Sequence, residues 1–289
     1  MQRPGVFSTV NGLFLISLSL LMLAPFIHVI ALSLSDPVSV QAQLVYFWPK
    51  GFQLDMYHKM LGMSQVWRAL GVSIYITVVG TLITLALTST MAFALSRPAM
   101  PKTKLIMKLL VLTFILPAPL IPGFLLVRSL GMVDTLWALM IPGATGAFNI
   151  IIMKTFFKNI SGEIFDAAKI DGCGESKIYL KIVLPLSMAV LSTIGLFHAV
   201  GQWNSYFGAL IFIRDKTKYP LQVLIQQLVV QKGATDLTGN GGGYTLMLAL
   251  SPEIMSSAMI VLATVPILLV YPFLQKYFVQ GAMLGSLKE

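Results

Sequence analysis

An all-α transmembrane fold with six spanning helices is what this sequence predicts, from its hydropathy, its long apolar runs and the one charged island between them. Of 289 residues, 56% are hydrophobic and only 11% charged, and the mean hydropathy is +0.83. A soluble globular chain could not hide that much apolar surface. A transmembrane barrel would alternate apolar and polar residues over ten-residue segments, whereas the runs here are long and continuous. The net charge of +9 is dispersed at the ends of those runs and forms no dense basic patch, which fits membrane flanks and not nucleic acid. The single cysteine, Cys173, excludes an intrachain disulfide, and no spacing of ligating residues suggests a metal or redox centre.

The first span reads from Val10 to Leu34, behind a short N-terminus carrying Arg3. It is too long for a signal peptide and lacks a small-residue cleavage site, so it is expected to be retained. Pro25 is a candidate kink. A polar outer loop, residues 35–67, completes an N-terminal region 1–67. Its Tyr46, Phe47, Trp48 and Trp67 suit an interfacial belt, with a small loop core as the alternative.

The second span, Arg68 to Leu95, opens a five-span core, residues 68–289. Thr77, Thr81, Thr84 and Thr88 keep helical spacing along it; such a stripe packs helix on helix more often than it lines a pore. Residues 97–104, RPAMPKTK, have three basic residues and no acid and read as a short cytoplasmic loop. The third span, Leu105 to Val127, holds Pro117, Pro119 and Pro122, which interrupt the backbone ladder. A helix bordering a translocation path and a kinked packing helix both fit.

After a turn at Ser129–Thr135, the fourth span runs from Leu136 to Phe157, with Pro142-Gly143 and Asn149 inside it and Lys154 and Lys158 at its cytoplasmic exit. The fifth runs from Leu186 to Ile213 and the sixth from Ile254 to Leu274, ahead of a tail at 275–289. On this topology 12 of the 20 Lys and Arg residues lie inside. Four of those outside fall in the long last loop, where the positive-inside rule is weak. The expected orientation is N-in, C-in.

Between the fourth and fifth spans lies the charged island, Ile160 to Ser187, with Glu163, Asp166, Lys169, Asp171, Glu175, Lys177 and Lys181. A central Asp or Lys in hydrocarbon costs roughly 2.5–3.5 kcal/mol, so this stretch must stand in water. Two short helices are expected. The first, Glu163 to Ile170, has acids towards its positive end. Gly172 and Gly174 stop it. The second, from about Glu175 to Leu184, leads to Pro185, suited to a first helical turn. Ala167 and Ala168 offer a shallow face that another protein can approach; a plain solvated connector is the competing reading.

The fifth span carries the most polar membrane cluster, His198, Gln202, Trp203, Asn204 and Ser205. Polar groups at that depth mark either a functional path or interhelical hydrogen bonds, and both readings are open. Residues 214–253 form the longest outer loop. LQVLIQQLVVQ within it looks amphipathic and GNGGG flexible, which suits a surface for an external partner.

Several strings carry a family resemblance. Asp166-Ala167-Ala168, Asp171-Gly172 and Ile182-x-Leu184-Pro185 resemble the EAA loop of ABC-importer permeases, departing at Asp166 (usually Glu), Cys173 (usually Ala) and Ser161 (often Pro). WNSYFGAL resembles the WNxF element of sugar-importer permeases, and PFLQKYFVQGAMLGSLK the end of carbohydrate permeases of the maltose-permease type. IIMKTFF, KYPLQ and YPFLQKYF look closest to the branch with LplC, aldouronate and alginate-oligosaccharide permeases.

The resemblance implies a six-helix MetI/maltose-permease-like fold in a bacterial cytoplasmic membrane. It implies that the EAA loop, residues 160–185, is a coupling element, with Glu163, Asp166, Ala167, Ala168, Asp171 and Gly172 docking into an ATPase cleft. Implied partners are a second, homologous permease in a heterodimer, two ATPase subunits, an extracytoplasmic solute-binding protein, membrane lipids and a saccharide, with an acidic oligosaccharide suiting the branch. Asn149, His198, Gln202, Trp203 and Asn204 are the candidate substrate path.

The chain has no Walker-type glycine loop and hydrolyses nothing itself; ATP and Mg would be bound by the ATPase partners, leaving no cofactor or metal here. His28, His58 and His198 are isolated, without a nucleophile and orienter beside them, so no catalytic residue is expected. A permease for another solute is an alternative. An ion-coupled secondary transporter competes less well, because it would want intramembrane acids and repeated halves.

Overall fold

The computed structural model describes residues 6–116, 118–231 and 252–286, and these are helical and irregular, without strands among the described residues. The chain divides into two compact units, Met1–Trp67 with Leu224–Pro266, and Arg68–Val223 with Ile267–Glu289.

In the first unit, α1 (Val6–Ser33) runs unbroken through Pro25. Asp36 caps α2 (Pro37–Gln41), accepting from the Ser39 N–H at 3.0 Å, and Pro37 fills the first turn, where no N–H is needed. The loop folds back on itself: Asp36 N–H donates to the Lys50 carbonyl at 3.0 Å and Gln53 N–H to the Leu34 carbonyl at 3.0 Å. Tyr57, on α3 (Asp55–Leu61), donates to Ser33 Oγ at 2.8 Å. Ala31, Val40, Val45 and Ile254 make the small core beneath. Tyr46, Phe47, Trp48 and Trp67 stay exposed and join no core, as an interfacial belt requires.

The helix α4 (Ser64–Ser96) is long enough to span a membrane. Past the turns at 97–102 comes α5 (Thr103–Ile115), then α6 (Leu120–Ser129), bent from it by 116°. The break falls among the expected prolines. Pro119 stands at the cap of α6 and Pro122 in its first turn, where a missing N–H costs nothing; Pro117 lies outside the described residues.

The fourth span differs from expectation. Only α7 (Trp137–Met140) and α8 (Ala147–Lys158) are helical, with a break at Pro142-Gly143. At 1.5 Å per residue the 12-residue α8 rises roughly 18 Å, well short of a 30 Å hydrocarbon core. The fifth differs too. The stretch Glu175–Leu186, α10, is bent by 78° from α11 (Met188–Trp203) at Ser187. Then α11 ends at Asn204, and a separate short helix, α12 (Phe207–Phe212), follows. A continuous helix from Leu186 to Ile213 is therefore replaced by two pieces.

In the loop expected at 214–253 the amphipathic stretch is α13 (Leu221–Gln231); GNGGG lies outside the described residues. The last helix, α14 (Pro252–Ser286), continues through most of the expected tail. Among the described residues three helical stretches, Val10–Ser33, Ser64–Ser96 and Pro252–Pro272, are long and apolar enough to cross a membrane, and counting each of the two bent pairs as one span brings the number to five.

Candidate functional site

The charged island folds as two helices around a glycine break. The helix α9 (Gly162–Ile170) has Glu163 in its first turn and Lys169 in its last, each complementing the helix dipole. It ends in a Schellman turn: Cys173 N–H donates to the Ala168 carbonyl at 2.9 Å and Gly172 N–H to the Lys169 carbonyl at 3.0 Å. Gly172 supplies the left-handed residue, with φ +73°. Gly174 then caps α10 in extended conformation. The middle of α10, Tyr179–Val183, is a π-helical turn, a distortion common at functional sites.

The two alanines of the expected docking face part company. Ala168, only 5% exposed, is buried with Phe165, Ile178, Val183, Phe93 and Phe157 in the core of this region. Ala167 points the other way and is exposed, as are Glu163, Asp166, Asp171 and Gly172. Ile170, on the same free side, is 86% exposed. The spacing explains the split, since 165 and 168 are three apart and share a face while 167 is turned from both. The free surface of α9 is thus Glu163, Asp166, Ala167 and Ile170, with Ala168 as an anchor.

What holds that anchor was not evident in the sequence. Ser89, Phe93 and Arg97, four apart at the end of α4 and just beyond it, meet α9 and α10. Ser89 Oγ lies 2.6 Å from Tyr179 Oη, and the Phe93 and Tyr179 rings are 5.2 Å apart. Arg97 Nη2 donates to Glu175 Oε1 at 3.0 Å, and its guanidinium sits 4.2 Å from the centre of the Phe165 ring. The i, i+4, i+8 spacing was visible, but nothing in the string named its partners.

The polar cluster on α11 is drawn largely into packing. Both ring nitrogens of His198 are engaged: Nε2 with Thr84 Oγ1 at 2.9 Å and Nδ1 with Thr81 Oγ1 at 3.3 Å. A neutral imidazole has one donor and one acceptor, and two hydroxyls match it in either tautomer. Gln202 Nε2 donates to the Leu139 carbonyl at 2.9 Å. Trp203 is buried. Asn204 does not continue the span; it stands at the end of α11, exposed, with Nδ2 donating to the Val200 carbonyl at 2.9 Å and Oδ1 accepting from Gln222 Nε2 at 3.5 Å. Asn149 is half-buried near the start of α8, with its Nδ2 beside Gly146. A cavity of about 380 Å³ is lined by Tyr75, Asp134, Thr135, Leu136, Trp137, Met140 and Lys218, and by none of the five expected path residues.

Beside that cavity Asp134, at φ 62°, ties two loops together. Its Oδ1 accepts from the N–H groups of Arg214 and Asp215 at 3.1 and 3.0 Å, and Lys218 Nζ stands 3.4 Å from Oδ2. The backbone N–H groups of Asp215 and Arg214, with Lys218 behind them, hold the Asp134 carboxyl below its ordinary value.

The helical architecture, with apolar helices long enough to cross a membrane, is that of a membrane-embedded transport subunit. Residues 86–283 match the family of binding-protein-dependent transport system inner membrane components, and the chain belongs to that family. It is a transmembrane permease subunit of an ABC importer, working with ATPase and solute-binding partners; ATP hydrolysis resides in the separate ATPase subunits.

Among its relatives is the polygalacturonan/rhamnogalacturonan transport system permease protein YtcP of Bacillus subtilis (strain 168), 42% identical over 95% of this chain and 96% of the relative. Protein LplC of the same strain is 41% identical over 98% of this chain and 95% of the relative. The fold is similar to a chain of a bacterial ABC transporter involved in the import of the acidic polysaccharide alginate. The TM-score is 0.86 at 32% identity, covering 96% of this chain and 99% of the other.

Proposed function

We propose that this subunit imports a saccharide, of the acidic oligosaccharide class, by alternating access. A solute-binding protein delivers it outside, and ATP closes an ATPase dimer that carries α9 with it. The reading rests on one observation: α9 is fixed to its own chain on one side, through Phe165 and Ala168, and free on the other, through Glu163, Asp166, Ala167 and Ile170. A solvated connector has no need of an exposed isoleucine on a helix ended by a built turn. Asp171 and Gly172 set the turn beside that free face.

The acidic cargo is supported by what the relatives are named for, polygalacturonan/rhamnogalacturonan in one and the acidic polysaccharide alginate in another. The chain pairs with a second, homologous permease, the two forming the gate between them. Both termini lie in the cytoplasm, on the side of the loop at 160–185 and of most basic residues. Within the path we place Asn204 and Asn149, whose side chains keep exposed or half-exposed surface, whereas His198, Gln202 and Trp203 brace α11 against its neighbours.

Vesicles holding this chain with its partner permease and ATPases, supplied with binding protein, decide the matter. ATP-dependent accumulation of oligogalacturonate or alginate oligomers, and none of a neutral maltodextrin, is the expected result. Accumulation of the neutral glycan alone overturns the cargo. Accumulation without ATPase subunits, or labelling of cysteines at Asp166 and Asp171 from outside intact cells, overturns the mechanism.

A further inference from the structure

A nine-residue helix held only by the turns at its two ends would swivel when pushed, and its motion would be spent in the turns. The glycine break makes this acute, because Gly172 and Gly174 separate α9, which the motor touches, from α10, which leads to the membrane helix α11. The shared core of Phe165, Ala168, Ile178, Val183 and Phe93 seats α9 against α10 and α4, and a directional tie at its rim would keep the three from sliding.

Arg97 touches all three. Its guanidinium lies 4.2 Å from the centroid of Phe165 on α9 and 5.6 Å from that of Phe93 on α4, and Nη2 donates to Glu175 Oε1 on α10 at 3.0 Å. The Arg97 side chain is 13% exposed, against 53% for Glu175, so the cation is withdrawn from water where stacking on a ring is strongest. A planar fork can lie flat on a ring while directing N–H groups in its own plane at a carboxylate, a stacked geometry that a compact ammonium does not reproduce. Two further members of the stripe repeat the link one and two turns back, Phe93 to the Tyr179 ring and Ser89 to the Tyr179 hydroxyl. Tyr179 opens the π-helical turn of α10.

We propose that Arg97 is the positioning residue that locks α9 to α10 across the glycine break and both to α4, so that displacement of α9 reaches the membrane helices. The inference rests on α9 being the ATPase-docking element. It assigns to α4 a part in transmission that the docking face alone does not imply.

The test uses the whole importer in vesicles, with Arg97→Gln, Arg97→Lys, Phe165→Leu and Glu175→Gln in this chain. Uptake is measured with whichever acidic oligomer the unaltered importer accumulates, alongside ATP hydrolysis and its KM. In Arg97→Gln, uptake per ATP hydrolysed falls at least tenfold while the KM for ATP moves less than twofold. Phe165→Leu keeps an apolar anchor but removes the ring, and falls similarly. Arg97→Lys recovers part of the loss, and Glu175→Gln loses less than threefold. Normal uptake per ATP in both Arg97→Gln and Phe165→Leu overturns the proposal. So does a parallel fall in ATP hydrolysis and subunit assembly, which would mark a merely structural role.

Should Arg97→Gln fail to insert, Phe165→Leu decides alone. Ala167→Trp, on the free face, is run beside them. If it transports normally, the docking reading itself fails; if it uncouples while the Arg97 and Phe165 variants do not, only the lock fails.

Discussion

His198 offers the sharpest separation of packing from transport. Replacing it with leucine removes the bonds to Thr81 Oγ1 and Thr84 Oγ1, at 3.3 and 2.9 Å. Thr84 is fully buried, yet its hydroxyl need not be stranded, because a helical threonine can turn back to the carbonyl four residues before it. Interhelical bonds between membrane helices are worth about 0.6 kcal/mol on average and about 1.7 at most. The shorter bond to Thr84 should dominate. We therefore expect His198→Leu to destabilise the protein by about 1 kcal/mol, and Thr84→Val to add little once His198 is gone. A double-mutant cycle on detergent-induced unfolding reads the coupling between them. ATP-driven uptake should keep its KM for cargo within about twofold, since 1 kcal/mol of stability leaves most molecules folded. A tenfold rise in that KM, with no coupling to Thr84, would refute the assignment of His198 to packing.

Three further outcomes follow from single positions. A Cβ on Gly195 would stand 3.3 Å from Leu85 Cδ1, so Gly195→Ala is absorbed by a small shift of Leu85, while Gly195→Leu overpacks the α4–α11 contact and costs about 1–3 kcal/mol, measurable in the same unfolding assay. Gly51 has φ +60°, and a Cβ there would collide with the Asp36 side chain; Gly51→Ala costs about 1–2 kcal/mol for the backbone alone and should expose the loop at 35–54 to protease. The Asp134 junction is pH-dependent with a fixed sign. Its carboxyl titrates below the ordinary 3.8, so its contribution is full above that value and is lost as pH falls through the lower folded value. Asp134→Asn, which also tolerates the left-handed backbone, should abolish the change in cross-linking between the 129–135 and 213–220 loops when pH drops below about 4.

Much of this was legible in the string because the chemistry was local. The charged island, its two helices and the glycine stop follow from charge in hydrocarbon and from left-handed backbone, neither of which needs a partner. The break of the third span follows equally from Pro119 and Pro122. Mean hydropathy does not see hydrogen bonds and so predicts continuous fourth and fifth spans, yet Pro142-Gly143 and the polar turn after Trp203 interrupt helices inside stretches that are apolar on average. The polar cluster on α11 could not be divided into path and packing from sequence alone. Its division depends on Thr81 and Thr84, more than a hundred residues away, and on the Leu139 carbonyl, which has no side-chain signature. Ala167 and Ala168 likewise look alike until Phe165 fixes which face turns inward.

That last distinction bears on how a permease of this kind can work. A lever must be fixed on one side and accessible on the other, and a helix delivers both only if its small residues are not equivalent. Ala168 is small because Phe165, Ile178 and Val183 crowd it; a larger residue there would push α9 off its seat, an overpacking cost of about 1–3 kcal/mol. Ala167 faces no such crowd, and under the docking proposal its small side chain leaves room for the ATPase. The same substitution at the two positions should therefore fail in opposite ways. Ala168→Leu is expected to weaken folding of the loop and the assembly of the complex together. Ala167→Leu should leave the subunit as stable as before and lower only its affinity for the ATPase. Lower thermal stability in Ala168→Leu alone, with ATPase pull-down weakened in both variants, is the pattern the two faces require. Loss of stability in both would mean that α9 is buried all round and is no lever.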